Sequence, residues 1–332
     1  MTSYPWQNFA ARAPLGHWPT PMELLPRLSA ELGGPNIWVK RDDCSGLATG
    51  GNKTRKLEYL LGDALDQGAD TVLTYGAIQS NHARQTAAAC NKLGLECHLL
   101  LTRRASPADD DYEHGGNVLL DKLLGAHLHL CDTEDAATTR ETLLADLAAA
   151  DKHTYEIPAG GSNAVGALGY AQCAEELHDG ITANALDVTH IFHASASAAT
   201  QSGLLYGLSY LRDDITVLGI NVYHPDPGRL EERVADILAA TRERFGNGPY
   251  PAPVNTNHAY FGAGYGSPTE DTIAAIHMAA RLEGLLFDPV YSGKALTGLI
   301  DQINLGNIKS ADVVLVHTGG TAALPVYSSV LT

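Results

Sequence analysis

Gly50-Gly51-Asn52-Lys53-Thr54-Arg55-Lys56-Leu57-Glu58 decides the reading of this chain. It follows a strand-like run, Ile37–Arg41, and opens a helical one. The two glycines allow a tight turn with no Cβ in the way. Asn52 is a good N-cap residue, and the next residue is a lysine. An amine at the positive end of a helix loses its proton more readily. Attack on a carbonyl requires that neutral amine, so Lys53 is a candidate nucleophilic or Schiff-base lysine.

Working outward, the 332 residues are enough for two domains, and the net charge is −16 with neutral histidines. So acidic a surface does not suit nucleic acid or anionic lipid. The five cysteines are odd in number and irregularly spaced, with no C-x-x-C. That argues against a disulfide framework or a zinc ribbon and points to a reducing cytosol. The N-terminus has no apolar signal core, and no run reaches the roughly 18 apolar residues of a membrane span. The fourteen histidines are scattered without H-E-x-x-H spacing, so a metal is not expected.

Strands and helices alternate on both sides of Lys53. The pattern predicts strands at Thr71–Thr74, Cys97–Leu101, His127–Cys131, Thr154–Ile157, Val188–His193, Ile215–Val222 and Val313–His317. Between them come helices at Asn81–Leu93, Gly116–Leu124, Ala136–Ala150, Val165–Leu177, Thr200–Leu211, Leu230–Phe245, Thr269–Leu282 and Gly293–Leu305. The segment Gly246–Asn257 reads as a surface loop. Short apolar strands alternating with helices indicate open, mostly parallel sheets with helices on both faces. Such α/β folds bind ligands at the carboxyl ends of their strands.

Several strand-end loops are rich in small and hydroxyl residues. Ala194–Thr200 leads from an apolar strand into a helix; Ser197 and Thr200 add hydroxyls to the N–H groups of a helix start, as in a phosphate cradle. An N-cap in a tight turn explains the same residues. Ser80-Asn81-His82 also opens a helix: Ser80 is a cap or a carboxylate ligand, and His82 a polar contact or a base. Tyr291 and Tyr265 are candidate acid–base groups, or packing residues. No G-x-x-x-x-G-K-[ST], G-x-S-x-G or G-x-G-x-x-G is present, which disfavours nucleoside triphosphates, serine hydrolysis and dinucleotides.

Taken together, Val39–Ala48, Gly50–Glu58, Gln79–Gln85, Ile157–Asn163, Ala167–Tyr170, Gly264–Gly266, Asp288–Lys294 and His317–Gly320 resemble the D-cysteine desulfhydrase and 1-aminocyclopropane-1-carboxylate deaminase family, which includes L-cysteate sulfo-lyases. These are pyridoxal 5'-phosphate enzymes of the tryptophan synthase β-subunit fold type, fold type II. The blocks span most of the chain in the family's order. The resemblance implies that Lys53 carries the cofactor with Asn52 beside it. Ser197, Ala198, Ala199 and Thr200 would hold the phosphate, and Asn81 would approach the phenolic oxygen. Ser80, Asn81 and His82 would receive the substrate carboxylate, with Tyr265 and Tyr291 on the substrate side. It further implies a small domain, 54–164, inserted into a large one made of 1–53 and 165–332, and a homodimer.

One position departs from the deaminases. Where they carry a glutamate expected to face the pyridine nitrogen, this chain has Ser292. A hydroxyl from Ser292 or Thr318 leaves that nitrogen largely neutral and weakens the electron sink. Expelling sulfur from Cβ tolerates this better than opening a cyclopropane. The expected reaction is β-elimination on a cysteine-like amino acid: D-cysteine to pyruvate, hydrogen sulfide and ammonia, or L-cysteate with release of sulfite. Cyclopropane ring opening is disfavoured, and a binding protein without chemistry is the rival from another class.

Overall fold

The computed structural model describes residues 4–9, 11–103, 110–212, 214–226 and 228–331. Ten strands form two sheets. They are β1 (Met22–Leu24), β2 (Asn36–Arg41), β3 (Thr71–Ala77), β4 (Glu96–Thr102), β5 (His127–Cys131), β6 (Thr154–Ile157), β7 (Val188–Ser195), β8 (Thr216–Asn221), β9 (Asn255–Asn257) and β10 (Asp312–His317). The larger sheet has the order β1-β2-β10-β7-β8-β9 and the smaller β5-β4-β3-β6. Only the β1–β2 pairing is antiparallel. Every residue of β10 is buried, as expected for a central parallel strand covered on both faces.

The predicted alternation matches these elements to within a few residues, with two differences. Strand β9 lies at the end of the segment read as a loop, because Asn255, Thr256 and Asn257 pair with Leu218, Gly219 and Ile220. Strand β1 was not anticipated; it exists through its pairing with Trp38–Lys40. Neither has the apolar pattern that marks a strand locally.

Helix packing beside the larger sheet depends on missing side chains. A Cβ on Gly203 would stand 2.2 Å from the Ala167 carbonyl oxygen, and one on Gly169 2.4 Å from that of Arg55. The helices Lys53–Asp66, Ala164–Ala183 and Ala199–Leu211 therefore meet backbone to backbone. Their buried leucines join one large core that continues beneath the smaller sheet. At the other end of the chain, the turn Thr321–Tyr327 leaves the larger sheet and packs Ala323, Val326 and Tyr327 against Ile78, Tyr112 and Val118 beside the smaller one.

Candidate active site

The turn before Lys53 needs its glycines. Gly50 and Gly51 have φ of 72° and 129°, and a Cβ on Gly50 would lie 1.8 Å from the Asp43 carbonyl oxygen. The helix Lys53–Asp66 is then fixed from below. Two residues after Lys53, Arg55 pairs with Asp42 and Glu176, Lys40 joins Glu176 at 2.6 Å, and the Tyr170 hydroxyl donates to Asp42 at 2.6 Å. Asn52 does not cap this helix as expected. Its side-chain oxygen, Oδ1, accepts from the Lys53 amine at 3.0 Å, and its Nδ2 faces Thr200 Oγ1 at 3.5 Å. Asn52 already has helical φ and ψ, −63° and −19°, whereas a capping residue has extended ones.

Lys53 stands in the wall of a cavity formed by loops at the carboxyl ends of β3, β6, β7 and β10. Asn52, Ser80, Asn81, His82, Ser197, Ala198, Thr200, Tyr265, Tyr291 and Thr318 share that wall. Loss of water lowers the Lys53 pKa to about 8; Asp288 opposes the shift and Arg84 adds to it. The lowered pKa raises the neutral fraction that attack on a carbonyl requires.

Opposite the lysine, the helix Ala199–Leu211 begins without a side-chain cap, after Ala198 at φ 83°. Its first N–H groups lack intrahelical partners and point into a loop of small residues. The hydroxyls of Ser197 and Thr200 flank them, and Ser197 Oγ accepts from Ser162 at 2.7 Å. A phosphate with a reactive aldehyde fits this arrangement: dipole, free donors and hydroxyls at one side, and an amine that loses its proton readily at the other.

Ser80 caps the helix Asn81–Leu93 by accepting from Ala83 N–H at 3.1 Å. Asn81 Oδ1 accepts from Asn117 Nδ2 at 3.0 Å. Burial first, then the charges of Lys53 and Lys56, drive the His82 pKa well down, so its imidazole is neutral. Thr74 Oγ1 donates to the Ile157 carbonyl and meets His82 Nε2 at 2.8 Å. This assigns the proton to Nε2 and leaves Nδ1 a bare acceptor with no protein partner. The Tyr265 and Tyr291 hydroxyls bond to each other. Burial raises both pKa values, so both hydroxyls keep their protons at neutral pH.

Two expected residues lie elsewhere. Ala199 is behind the wall, in the first turn of its helix. Ser292 is also outside it: its hydroxyl donates to Asp288 Oδ1 at 2.6 Å and accepts from Asp288 N–H at 3.0 Å. The helix-opening turn Asp288–Ser292 claims that hydroxyl, so of Ser292 and Thr318 it is Thr318 that lines the wall. Tyr223 and His224, which follow β8, also line the cavity. Tyr75 and Arg233 line it without having been foreseen. Arg233 donates to the Ser197 carbonyl at 3.2 Å from a helix some thirty residues away in sequence, and nothing in its own segment marks it.

The sequence profile described as pyridoxal-phosphate dependent enzyme matches residues 13–319. A D-cysteine desulfhydrase of Klebsiella pneumoniae subsp. pneumoniae is 43% identical over 317 residues, covering 93% of this chain and 94% of the relative. A second D-cysteine desulfhydrase, from Klebsiella pneumoniae strain 342, matches to the same extent. A crystal structure described as an ACC deaminase homologue superposes with a TM-score of 0.86 at 33% identity, covering 99% of both chains. The chain belongs to the pyridoxal-phosphate dependent enzyme family.

Proposed function

We propose that this enzyme is a carbon–sulfur lyase that converts D-cysteine to pyruvate, hydrogen sulfide and ammonia, the activity named for the relatives of 43% identity. One observation carries the choice of reaction: among the described residues lining the cavity there is no aspartate or glutamate. The buried Asp288 carboxylate instead accepts from the N–H groups of Val290, Tyr291 and Ser292 and from the Ser292 hydroxyl. Thr318, which lines the cavity, would offer a hydroxyl and not an acid to the cofactor's ring nitrogen. That favours loss of a good leaving group over ring opening.

When bound, the cofactor supplies the sink for the electrons of the Cα–H bond. The protein residues do the rest. Lys53, with its lowered pKa, holds the cofactor and accepts the Cα proton. Ser80 and the helix start at Asn81 and His82 orient the substrate carboxylate. The protonated Tyr265–Tyr291 pair faces the side chain and meets the departing sulfur. Ser197, Ala198, Ala199 and Thr200 form the phosphate loop, with Ala199 contributing backbone only. The smaller sheet and its helices, 54–164, act as the small domain, and the working form is a cytoplasmic homodimer.

A second reading, sulfite release from L-cysteate, draws on Arg233 and His224, which place donors for a sulfonate in the wall. A panel of D-cysteine, L-cysteine, L-cysteate, D-serine and the cyclopropane amino acid separates the readings. Sulfide and pyruvate from D-cysteine support the first. Sulfite from L-cysteate alone supports the second, and 2-oxobutanoate alone overturns both.

A further inference from the structure

The histidines look scattered in sequence, but sheet register gathers three of them. Strand β4 begins Glu96-Cys97-His98, and β5 begins His127-Leu128-His129. Residues two apart on a strand share a face. The strands are parallel, with His98 paired to His127 and Leu100 to His129. Glu96, His98, His127 and His129 therefore project from one face of the sheet.

On that face the donor atoms converge. His98 Nε2 lies 3.0 Å from Glu96 Oε1, and His127 Nε2 lies 3.4 Å from the same oxygen. One ligating atom from each of these three residues falls within 4.8 Å of the other two. Around a tetrahedral ion with bonds of about 2.0–2.2 Å, neighbouring ligand atoms stand about 3.3–3.5 Å apart. The observed spacings need only small adjustments to match. The other nitrogen of His98, Nδ1, meets His129 Nε2 at 3.1 Å, the kind of outer contact that orients a ligating imidazole. Lys152 pairs with the second oxygen, Oε2, and leaves Oε1 to the imidazoles. His98 is buried and His127 exposed, so one ligand is anchored and the other faces the approach of an ion.

We propose that Glu96, His98 and His127 form a binding site for one divalent transition metal ion of the zinc class, with His129 as the residue that orients His98. Two imidazoles and a carboxylate select such an ion over magnesium. The site lies at the amino ends of β4 and β5, whereas the cofactor cavity lies at the carboxyl ends of β3 and its neighbours. Six steps of about 3.3 Å, roughly 20 Å, separate the two ends of a seven-residue strand. The ion would fasten the edge strand β5 to β4 and take no part in turnover.

The test is calorimetric titration of zinc chloride into chelator-treated holoenzyme without substrate. The expected result is one equivalent per chain, a higher melting temperature on binding, and no binding of magnesium. His127→Ala removes an exposed side chain and Glu96→Gln a half-exposed one. Each should weaken binding at least about tenfold with turnover unchanged. Cobalt(II) should give visible ligand-field bands without a thiolate charge-transfer band. No binding by the parent protein, full affinity in both variants, or a thiolate band would each overturn the assignment.

Discussion

Arg55 grips Asp42 through two hydrogen bonds, Nε to Oδ2 at 2.9 Å and Nη2 to Oδ1 at 2.8 Å. It reaches Glu176 with two more, at 2.9 and 2.8 Å. Both Arg55 and Asp42 are almost wholly buried. Removing Arg55 takes from the buried Asp42 the cation it pairs with, which costs about 3–5 kcal/mol. Arg55→Met should lower the urea midpoint accordingly. Adding Asp42→Asn should recover part of the loss, because the two changes are coupled. Equal and additive losses would show that the network is not the source of the stability.

Lys53 has its pKa lowered to about 8 in the cofactor-free enzyme. The rate at which the apoenzyme takes up cofactor should therefore rise with pH and level off above about pH 8. Stopped-flow absorbance across pH 6–10 measures it. Lys53→Ala should lose the bound-cofactor spectrum and at least about 10²-fold in turnover.

The tyrosine pair makes a different demand. Tyr291→Phe removes one hydroxyl from the Tyr265–Tyr291 bond. Turnover should fall by about 10²-fold, with the cofactor spectrum intact, if the pair serves the proton transfers. Both pKa values are raised, so no tyrosine ionisation should reduce activity below about pH 10. A parent enzyme with an alkaline limb near pH 9 that disappears in Tyr291→Phe would contradict this.

Ser292 and Thr318 carry opposite expectations. Ser292→Ala leaves the buried Asp288 N–H without its acceptor, so stability should drop by about 1–3 kcal/mol while the cofactor spectrum stays the same. Thr318→Val should leave stability nearly intact and change turnover and spectrum. The reverse pattern would return Ser292 to the cofactor.

Asp121 is buried, and neither of its carboxylate oxygens has a partner. Burial raises its pKa from 3.8 to about 8, and Arg84 only partly opposes this. Between those two values the folded chain holds a proton that the unfolded chain has released, so stability falls as pH rises through this window. Asp121→Asn cannot ionise. Its melting temperature relative to the parent should therefore rise steadily from pH 5 to pH 8. Parallel melting curves at both pH values would exclude this ionisation as a cause.

Fold class and the turn into a helix at Lys53 were legible because their signals are local. Gly50-Gly51-Asn52-Lys53 fixes a turn whatever lies around it, and apolar runs such as Val313–Val316 mark buried strands by themselves. What was hidden depends on which partner each side chain takes in the fold. The Asn52 amide serves Lys53 and Thr200 instead of capping its helix. The Ser292 hydroxyl turns toward Asp288, a choice made by a fold of four residues that a residue pattern does not display. Arg233 reaches the wall only because the helix Arg229–Phe245 lies beside Ser197. The Glu96–His98–His127 cluster appears only once the register of two strands is known.

Between Thr318, which touches the cavity, and Tyr327, which is lodged against Tyr112 beside the smaller sheet, runs a short tether with Gly319 and Gly320 at φ of 89° and 115°. One end is bolted to β10, the other to the opposite half of the molecule. Any rocking of the halves must pull on this strap and pivot at its paired glycines. A shift of the smaller sheet against the larger would thus be passed along this strap to Thr318 and the cavity wall.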